Sequence, residues 1–379
     1  MSFEIKRKIL PELLETQSPN TNKVNILLGA RRTGKTYILN KIKNKEKKTL
    51  FLNGDIYKTS EILQNKSIEE YKKIIGNNKI LIIDEAQNIE NIGKILKIIH
   101  DNIPELKIIA TGSSAFDLSN KLGEPLTGRK KTFRMFPPAQ LELSETENYV
   151  DTLERLSERI IYGTYPEIFH YNSYAEKREY LSELINSYLL KDILVLNSIK
   201  NADKLYILLK LLAYQVGNEV SLNELAGKLG LAKNTVERYI DLFKKVFVIF
   251  EIKAYSKNKR NEISKMSRYY FADTGVRNAI INNFDELDYR NDLGQLWENY
   301  LITERVKYLT YNKIFADTYF WRTYSQQEID WIEEKDGKLL AFEIKYKKNK
   351  AKIPSQWTKN YKNFEFKLIN KDNYLDFIM

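Results

Sequence analysis

The sequence predicts an α/β protein: a parallel sheet carrying a phosphate-binding loop, then a helical connector, a winged-helix segment and a second, carboxyl-terminal α/β domain. Three observations predict it. The apolar run Val24–Leu28 leads straight into Gly29-x-x-x-x-Gly34-Lys35-Thr36, with every fixed position of the phosphate-loop pattern filled. Further apolar runs at Thr49–Asn53, 79–83 and 106–110 alternate with helix-spaced sequence, as a parallel sheet requires. Near the far end, an amphipathic stretch is followed by strand-like runs at 318–322, 327–333 and 338–346.

Composition narrows the classes. The 379 residues are enough for about two or three domains. Lys and Arg exceed Asp and Glu by 61 to 50, a formal charge of +11, which favours a polyanionic partner or simply a lysine-rich solvated surface. Cysteine is absent, so disulfides, thiolate metal sites and cysteine nucleophiles are excluded. His100 and His170 are the only imidazoles and have no ligand spacing, which argues against zinc. The amino terminus lacks an apolar signal core and no stretch reaches the roughly 20 apolar residues of a membrane span, so a cytoplasmic protein with no membrane partner is expected.

In chain order, residues 3–15 read as a short helix. In the loop that follows, Gly29 and Gly34 allow successive backbone N–H groups of Ala30, Arg31, Arg32 and Thr33 to face an anion, at the positive end of a new helix. Lys35 supplies a cation for the β- and γ-phosphates, and Thr36 a hydroxyl for Mg²⁺. The strand at 79–83 ends in Asp84-Glu85, where Asp84 would hold the Mg²⁺ shell and Glu85 would polarise the attacking water. The strand at 106–110 ends in Thr111-Gly112-Ser113-Ser114. Because parallel strands deliver their carboxyl ends to one rim, Thr111 or Ser113 should reach the same phosphate. A fifth strand is expected near 132–135. Before it, Arg129 is either an arginine finger or part of a basic surface patch with Lys130 and Lys131.

The segments GARRTGKT, ILIIDEAQNI, IIATGSS and LTGR together resemble a family of prokaryotic AAA-type P-loop ATPases with a carboxyl half of unassigned function. Tyr165-Pro166-Glu167, Leu190-Lys191-Asp192-Ile193 and Tyr270-Phe271-Ala272-Asp273-Thr274-Gly275 extend the likeness over nearly the whole chain. The resemblance implies ATP as ligand, a winged helix and a nuclease-like tail. The domains expected are an ATPase domain over 1–150, helical connector over 151–212, winged helix over 213–266 and nuclease-like domain over 267–379.

For the winged segment, Ser221-Leu222-Asn223-Glu224 reads as a capping box, Gly230 as the turn, and a second helix from about 232 carries Lys233, Asn234, Thr235, Glu237, Arg238 and Tyr239. A strand is expected at 246–250, followed by Lys253, Lys257, Lys259 and Arg260 where a wing meets phosphates. DNA is one partner of such a module; a protein contact is the other. Self-association would follow if Arg129 acted in trans.

The tail has the element order of the PD-(D/E)XK, restriction-endonuclease-like core and resembles it through Glu298, Asp330 and Glu343-Ile344-Lys345. Its geometry can be counted. If Asp336-Gly337 forms a two-residue hairpin turn, Lys335 pairs with Lys338, Asp330 falls opposite Glu343 and Glu328 opposite Lys345. Strict alternation then puts Ile329, Trp331, Phe342 and Ile344 on the other face. Facing carboxylates repel, and Mg²⁺ held by Asp330 and Glu343 beside Glu298 would relieve that, with Lys345 steadying a phosphodiester. An ordinary cross-strand ion pair of Glu328 with Lys345 is the plain alternative.

Overall fold

The computed structural model describes residues 4–15, 23–113, 126–189, 202–256 and 267–379. The chain divides into two compact units, Arg7–Pro137 with Lys245–Phe247, and Met1–Lys6 with Pro138–Lys244 and Val248–Met379.

The first unit is built on five strands, β1 (Val24–Leu28), β2 (Thr49–Asn53), β3 (Ile80–Asp84), β4 (Lys107–Gly112) and β5 (Lys130–Arg134). Their order is β2-β3-β4-β1-β5, and every pair is parallel. Period-two alternation divides their side chains between two cores. Val24, Ile26, Leu28, Leu81, Ile83, Ile108 and Ala110 pack against the helix Ile92–Asn102 and the helices before β3. Leu27, Ile80, Ile82 and Ile109 face the other way, onto Ile38, Leu39 and Ile42 of the helix Lys35–Lys45. With helices on both faces, β1 and β3 are buried at every position, which is why they read as unbroken apolar runs. β4 runs two residues further than its apolar run, because Thr111 and Gly112 still pair with Leu27 and Leu28. Similarly β5 starts at Lys130, paired with Val24, ahead of the expected 132.

In the second unit one sheet of seven strands has the order β12-β11-β10-β9-β7-β8-β6. Its members are β6 (Glu219–Val220), β7 (Ile249–Ala254), β8 (Ser267–Phe271), β9 (Asp317–Arg322), β10 (Glu328–Lys335), β11 (Lys338–Ile344) and β12 (Phe364–Ile369). The helices Leu222–Leu229 and Lys233–Lys245 lie where the sequence puts them. Ser221 accepts the Glu224 N–H, but the Glu224 carboxylate goes to Lys228 at 2.6 Å, so only half of the expected capping box forms. β7 begins at Ile249 rather than 246, because Phe247 takes a left-handed conformation (φ 62°) that ends any extended run. Lys253 and Ala254 of β7 pair in parallel with Tyr319 and Phe320 of β9, so the sheet runs across the boundary expected at 266/267.

The helical stretch expected as a connector is tied to the tail by buried hydrogen bonds. Asn278 donates to Ile160 and Ile161 carbonyls, Thr274 to the Arg159 carbonyl, and Asp273 accepts the Thr164 N–H at 2.8 Å. Buried Lys307 pairs with Glu304 at 2.6 Å and reaches the Pro138 carbonyl, while Glu304 accepts the Gln140 N–H.

The hairpin turn forms as counted, with Asp336 and Gly337 both left-handed (φ 52° and 74°) and Lys335 opposite Lys338. Strict alternation does not survive. The β9–β10 register shifts between Ile329 and Ile332, a bulge that places both side chains in one cluster with Leu339, Ala341 and Trp357. Trp331 instead donates to Glu333 at 2.7 Å, and Arg305 of the helix Leu293–Tyr311 grips Glu333 and covers Phe342.

A Cβ at Gly275 would lie 2.0 Å from the Tyr162 carbonyl oxygen. Gly275→Ala should therefore lower stability by about 1–3 kcal/mol. Tryptophan fluorescence in a urea titration reads this cleanly, since all four tryptophans (297, 321, 331 and 357) belong to the second unit. An unchanged midpoint would mean that 151–212 and 267–379 do not fold as one body.

Candidate functional site

The loop after β1 is shaped by backbone conformations that few residues accept. Gly34 is left-handed at φ 97° and Arg32 at φ 64°. Gly29 is required by close approach, since a Cβ there would meet the Met135 carbonyl oxygen at 2.3 Å. Lys35, 4% exposed, folds its ammonium back over the loop to the carbonyls of Gly29 (2.9 Å) and Ala30 (3.0 Å). Thr33 closes the turn by donating to the Ala30 carbonyl at 2.8 Å. The Arg7 guanidinium fastens the loop from outside, donating to the carbonyls of Thr33 (2.9 Å) and Phe136 (2.6 Å).

Because β4 lies between β1 and β3, its carboxyl end sits between the loop and Asp84. The Asp84 carboxylate, 2% exposed, accepts the Thr36 hydroxyl on one oxygen at 2.7 Å and the Thr111 hydroxyl on the other. Glu85 is left-handed (φ 47°), with its N–H directed at Asp84 Oδ1 (3.2 Å) and Thr111 Oγ1 (3.1 Å). Its carboxylate accepts from Gln87 Nε2 at 2.5 Å, and the same nitrogen lies 3.5 Å from Ser113 Oγ. The structure thus brings Gly29 through Thr36, Asp84, Glu85, Thr111 and Ser113 to one rim. A threonine hydroxyl beside a carboxylate is a hard-oxygen donor set that fits Mg²⁺ with a phosphate and waters.

Arg129 is not brought to this rim. Its carbonyl accepts the Val24 N–H at 2.8 Å and Lys130 pairs with Val24, so it lies where β1 begins, a strand length of roughly 16 Å from its own loop. There its Nε donates to Asp101 at 2.7 Å and holds that carboxyl below its usual range. Sequence reasoning missed Arg7, Gln87 and Gly54, whose added Cβ would meet the Glu85 carbonyl at 2.4 Å. Only Gln87 gave a signal, as a polar residue two positions past Glu85.

In the second unit Glu298, Asp330, Glu343 and Lys345 do gather, and Arg268, which the sequence did not single out, stands among them. This arginine, 2% exposed, sits 2.9 Å from Glu328, 3.6 Å from Glu298 and 3.8 Å from Asp330. Glu328 therefore pairs with Arg268 and not with Lys345, which bridges Glu343 (2.8 Å) and Asp330 (3.3 Å). Asp330 also accepts the Ile344 N–H at 2.8 Å, and Glu298 accepts the Tyr270 hydroxyl at 2.6 Å. No group of three or more His, Asp or Glu among the described residues could hold a metal ion. The Mg²⁺ ligation expected of Asp330 and Glu343 does not fit this cluster, because two cations already meet the acids. Burial, and then Asp330, push Glu298 up to about 8 and raise Glu343 as well.

On the helix Lys233–Lys245, Lys233, Asn234, Glu237 and Arg238 are exposed, with Lys233 3.5 Å from Glu237. Lys257, Lys259, Arg260, Ser114 and 190–193 lie outside the described residues. No helix among the described residues is long and apolar enough to cross a membrane.

The family model described as AAA domain matches residues 21–144, the stretch that holds the phosphate loop and the five-stranded sheet. Residues 153–287 and 293–372 match two domains of unknown function (DUF8612 and DUF4143). Among similar proteins, an uncharacterized protein of Methanocaldococcus jannaschii, MJ1544, is 27% identical over 306 residues, 75% of this chain and 66% of its own. One from Haemophilus influenzae is 24% identical, covering 86% and 84%, and Rv2008c of Mycobacterium tuberculosis is 25% identical, covering 71% and 59%. The chain thus spans less than two thirds of the archaeal and mycobacterial relatives. Among solved structures, Aeropyrum pernix ORC1 in complex with DNA is 14% identical (TM-score 0.33), covering 72% of this chain and 89% of its own. AMPPCP-bound DnaA from Aquifex aeolicus is also 14% identical (TM-score 0.29), covering 62% and 86%. Both likenesses are remote.

A carboxyl whose folded pKa is raised contributes stability below its unfolded value, near 4.5, that is lost as pH climbs to about 8. Glu298→Gln keeps an acceptor for Tyr270 and removes this titration. Urea midpoints from pH 5 to 9 should show the variant gaining on the parent as pH rises; parallel curves would mean that Glu298 is not held protonated by burial.

Proposed function

We propose that this chain binds ATP with Mg²⁺ and hydrolyses it, and that nucleotide state controls contact of its second unit with DNA. The observation that carries the first part is the hydrogen-bonded set Thr36, Asp84 and Thr111 at the rim of the phosphate loop. Thr36 and Asp84 would hold Mg²⁺, which supplies neutralising charge to the phosphates. The remaining work falls to the chain itself. Loop N–H groups bind the β-phosphate, and Lys35 exchanges its contacts with the Gly29 and Ala30 carbonyls for phosphate oxygens. Glu85 accepts the proton of the attacking water, with Thr111 fixing its backbone.

DNA contact is supported by the overall charge of +11 and by the exposed Lys233, Asn234 and Arg238 on one helix. Arg268 stands among the acids of the tail, which argues against phosphodiester cleavage there.

Lys35→Ala should reduce Mg²⁺-dependent phosphate release from ATP on the order of 100-fold or more. Hydrolysis that persisted in this variant would remove the loop from the reaction. For DNA, fluorescence anisotropy with a labelled duplex over a salt series should give a slope of log affinity against log salt that drops by about one in Arg238→Ala. A salt-independent signal, or none, would leave the second unit to a protein partner.

A further inference from the structure

Resting on the ATPase proposed above, we propose that Gln87 is the positioning residue of the hydrolytic step, orienting the Glu85 carboxylate and linking it to the end of β4.

Glu85 has a poor hold on its own direction. Its backbone is left-handed, at φ 47° and ψ 45°, a conformation that a residue with a Cβ adopts only when neighbours over-determine it. The main chain is pinned well enough. Its N–H is shared between Asp84 and Thr111, and the Gly54 N–H binds the Asp84 carbonyl at 2.8 Å. None of these contacts reaches the side chain. Among the described residues, Gln87 is the one side chain that hydrogen-bonds the Glu85 carboxylate, at 2.5 Å to Oε2. A donor on Oε2 fixes the plane of the carboxylate and leaves Oε1 to take a proton from water.

Gln87 is itself anchored. It is 6% exposed, inside the three-residue turn Ala86–Asn88. That turn is held on its far side by Asn88, which donates to Asp55 at 2.6 Å. The second contact of Gln87 Nε2, with Ser113 Oγ at 3.5 Å, leads to the residue just beyond β4. Ser113 is buried on the rim where the γ-phosphate would lie. A shift of Ser113 toward phosphate therefore moves the amide that orients the base. An amide suits this place better than a charged side chain, since it donates to Glu85 without competing with Lys35 for phosphate.

Three variants test it in the 379-residue chain: Gln87→Ala, Gln87→Asn and Gln87→Glu, with ATP hydrolysis rate and ATPγS affinity, by calorimetry with Mg²⁺, measured for each. Gln87→Ala should lower kcat on the order of 10-fold to 100-fold while the ATPγS Kd stays within about 2-fold. Gln87→Asn, one methylene short, should not restore the rate. Gln87→Glu removes the donated N–H and places a like charge against Glu85, so its kcat should fall at least as far as that of Gln87→Ala, again with the ATPγS Kd within about 2-fold. A kcat for Gln87→Ala within 2-fold of the parent would overturn the proposal, as would a Kd loss as large as the kcat loss or a parent-like kcat in Gln87→Glu. Failure of the parent chain to bind ATPγS would be a different result, removing the ATPase reading and this inference with it.

Discussion

A carboxylate buried at the end of a parallel strand must find donors, and at Asp84 that requirement organises the whole rim. β3 is flanked by β2 and β4, so Asp84 can draw on the residue that ends β4, and Thr111 is there with a hydroxyl. Its second oxygen faces the loop that follows β1, two strands away, where Thr36 opens a helix. One carboxylate thus fastens a loop and two strand ends to each other. The strand order makes this geometry available: with β3 directly beside β1, Thr111 would lie outside the pair. The cost of burying the acid is met by two hydroxyls that face the same space, and a divalent cation with phosphate oxygens can take over from them without leaving the carboxylate unsatisfied.

The second unit obeys the same rule with a different solution. Glu298, Glu328 and Asp330 stand together, and a fully buried guanidinium among them meets their charge. Arg268 belongs to β8, in the part of the sheet that precedes the tail strands, so the cluster exists only because β8, β7 and β9 are neighbours. Elsewhere the buried pair Lys307 with Glu304, on the long helix Leu293–Tyr311, holds the segment after Pro138 by donating to the Pro138 carbonyl and accepting the Gln140 N–H, while Arg159 pairs with Glu147 within that segment. Buried ion pairs of this kind add little net stability, but each excludes packings that would strand a charge. The hydrogen bonds that cross from residues 138–189 to 267–379 join them in one compact unit although no chemical motif links them.

What could be read in the sequence follows from which interactions are local. The phosphate loop, the strands on either side of Asp84 and the Asp336-Gly337 turn declare themselves because their residues are fixed by their own backbone conformations or by burial on both faces. The tail strands were legible to within a residue or two for the same reason. Arg268 was not, since its partners lie 30 to 62 positions away and only the sheet order unites them. The bulge at 329–332 was equally hidden, as it arises from the match of β10 to β9 and leaves no trace in β10 alone. Arg129 was left open between two roles for a related reason. Its residue type suited a γ-phosphate as well as a basic patch, and parallel pairing with Val24, which the local sequence does not show, puts it at the rim opposite its own loop.

The contrast between the two charged sites indicates where ligand chemistry resides. A residue is available to a ligand when its present partners can be given up without leaving a buried charge alone. Lys35 is held by two neutral carbonyls, and the Asp84 oxygens by two hydroxyls; each exchange for phosphate or cation keeps charge balanced. Withdrawing Arg268 would instead leave several acids facing one another in the interior, a change that costs several kcal/mol in comparable buried networks. By that criterion the glycine-bounded loop is built to exchange its contacts, whereas the acids of the tail are built to keep theirs.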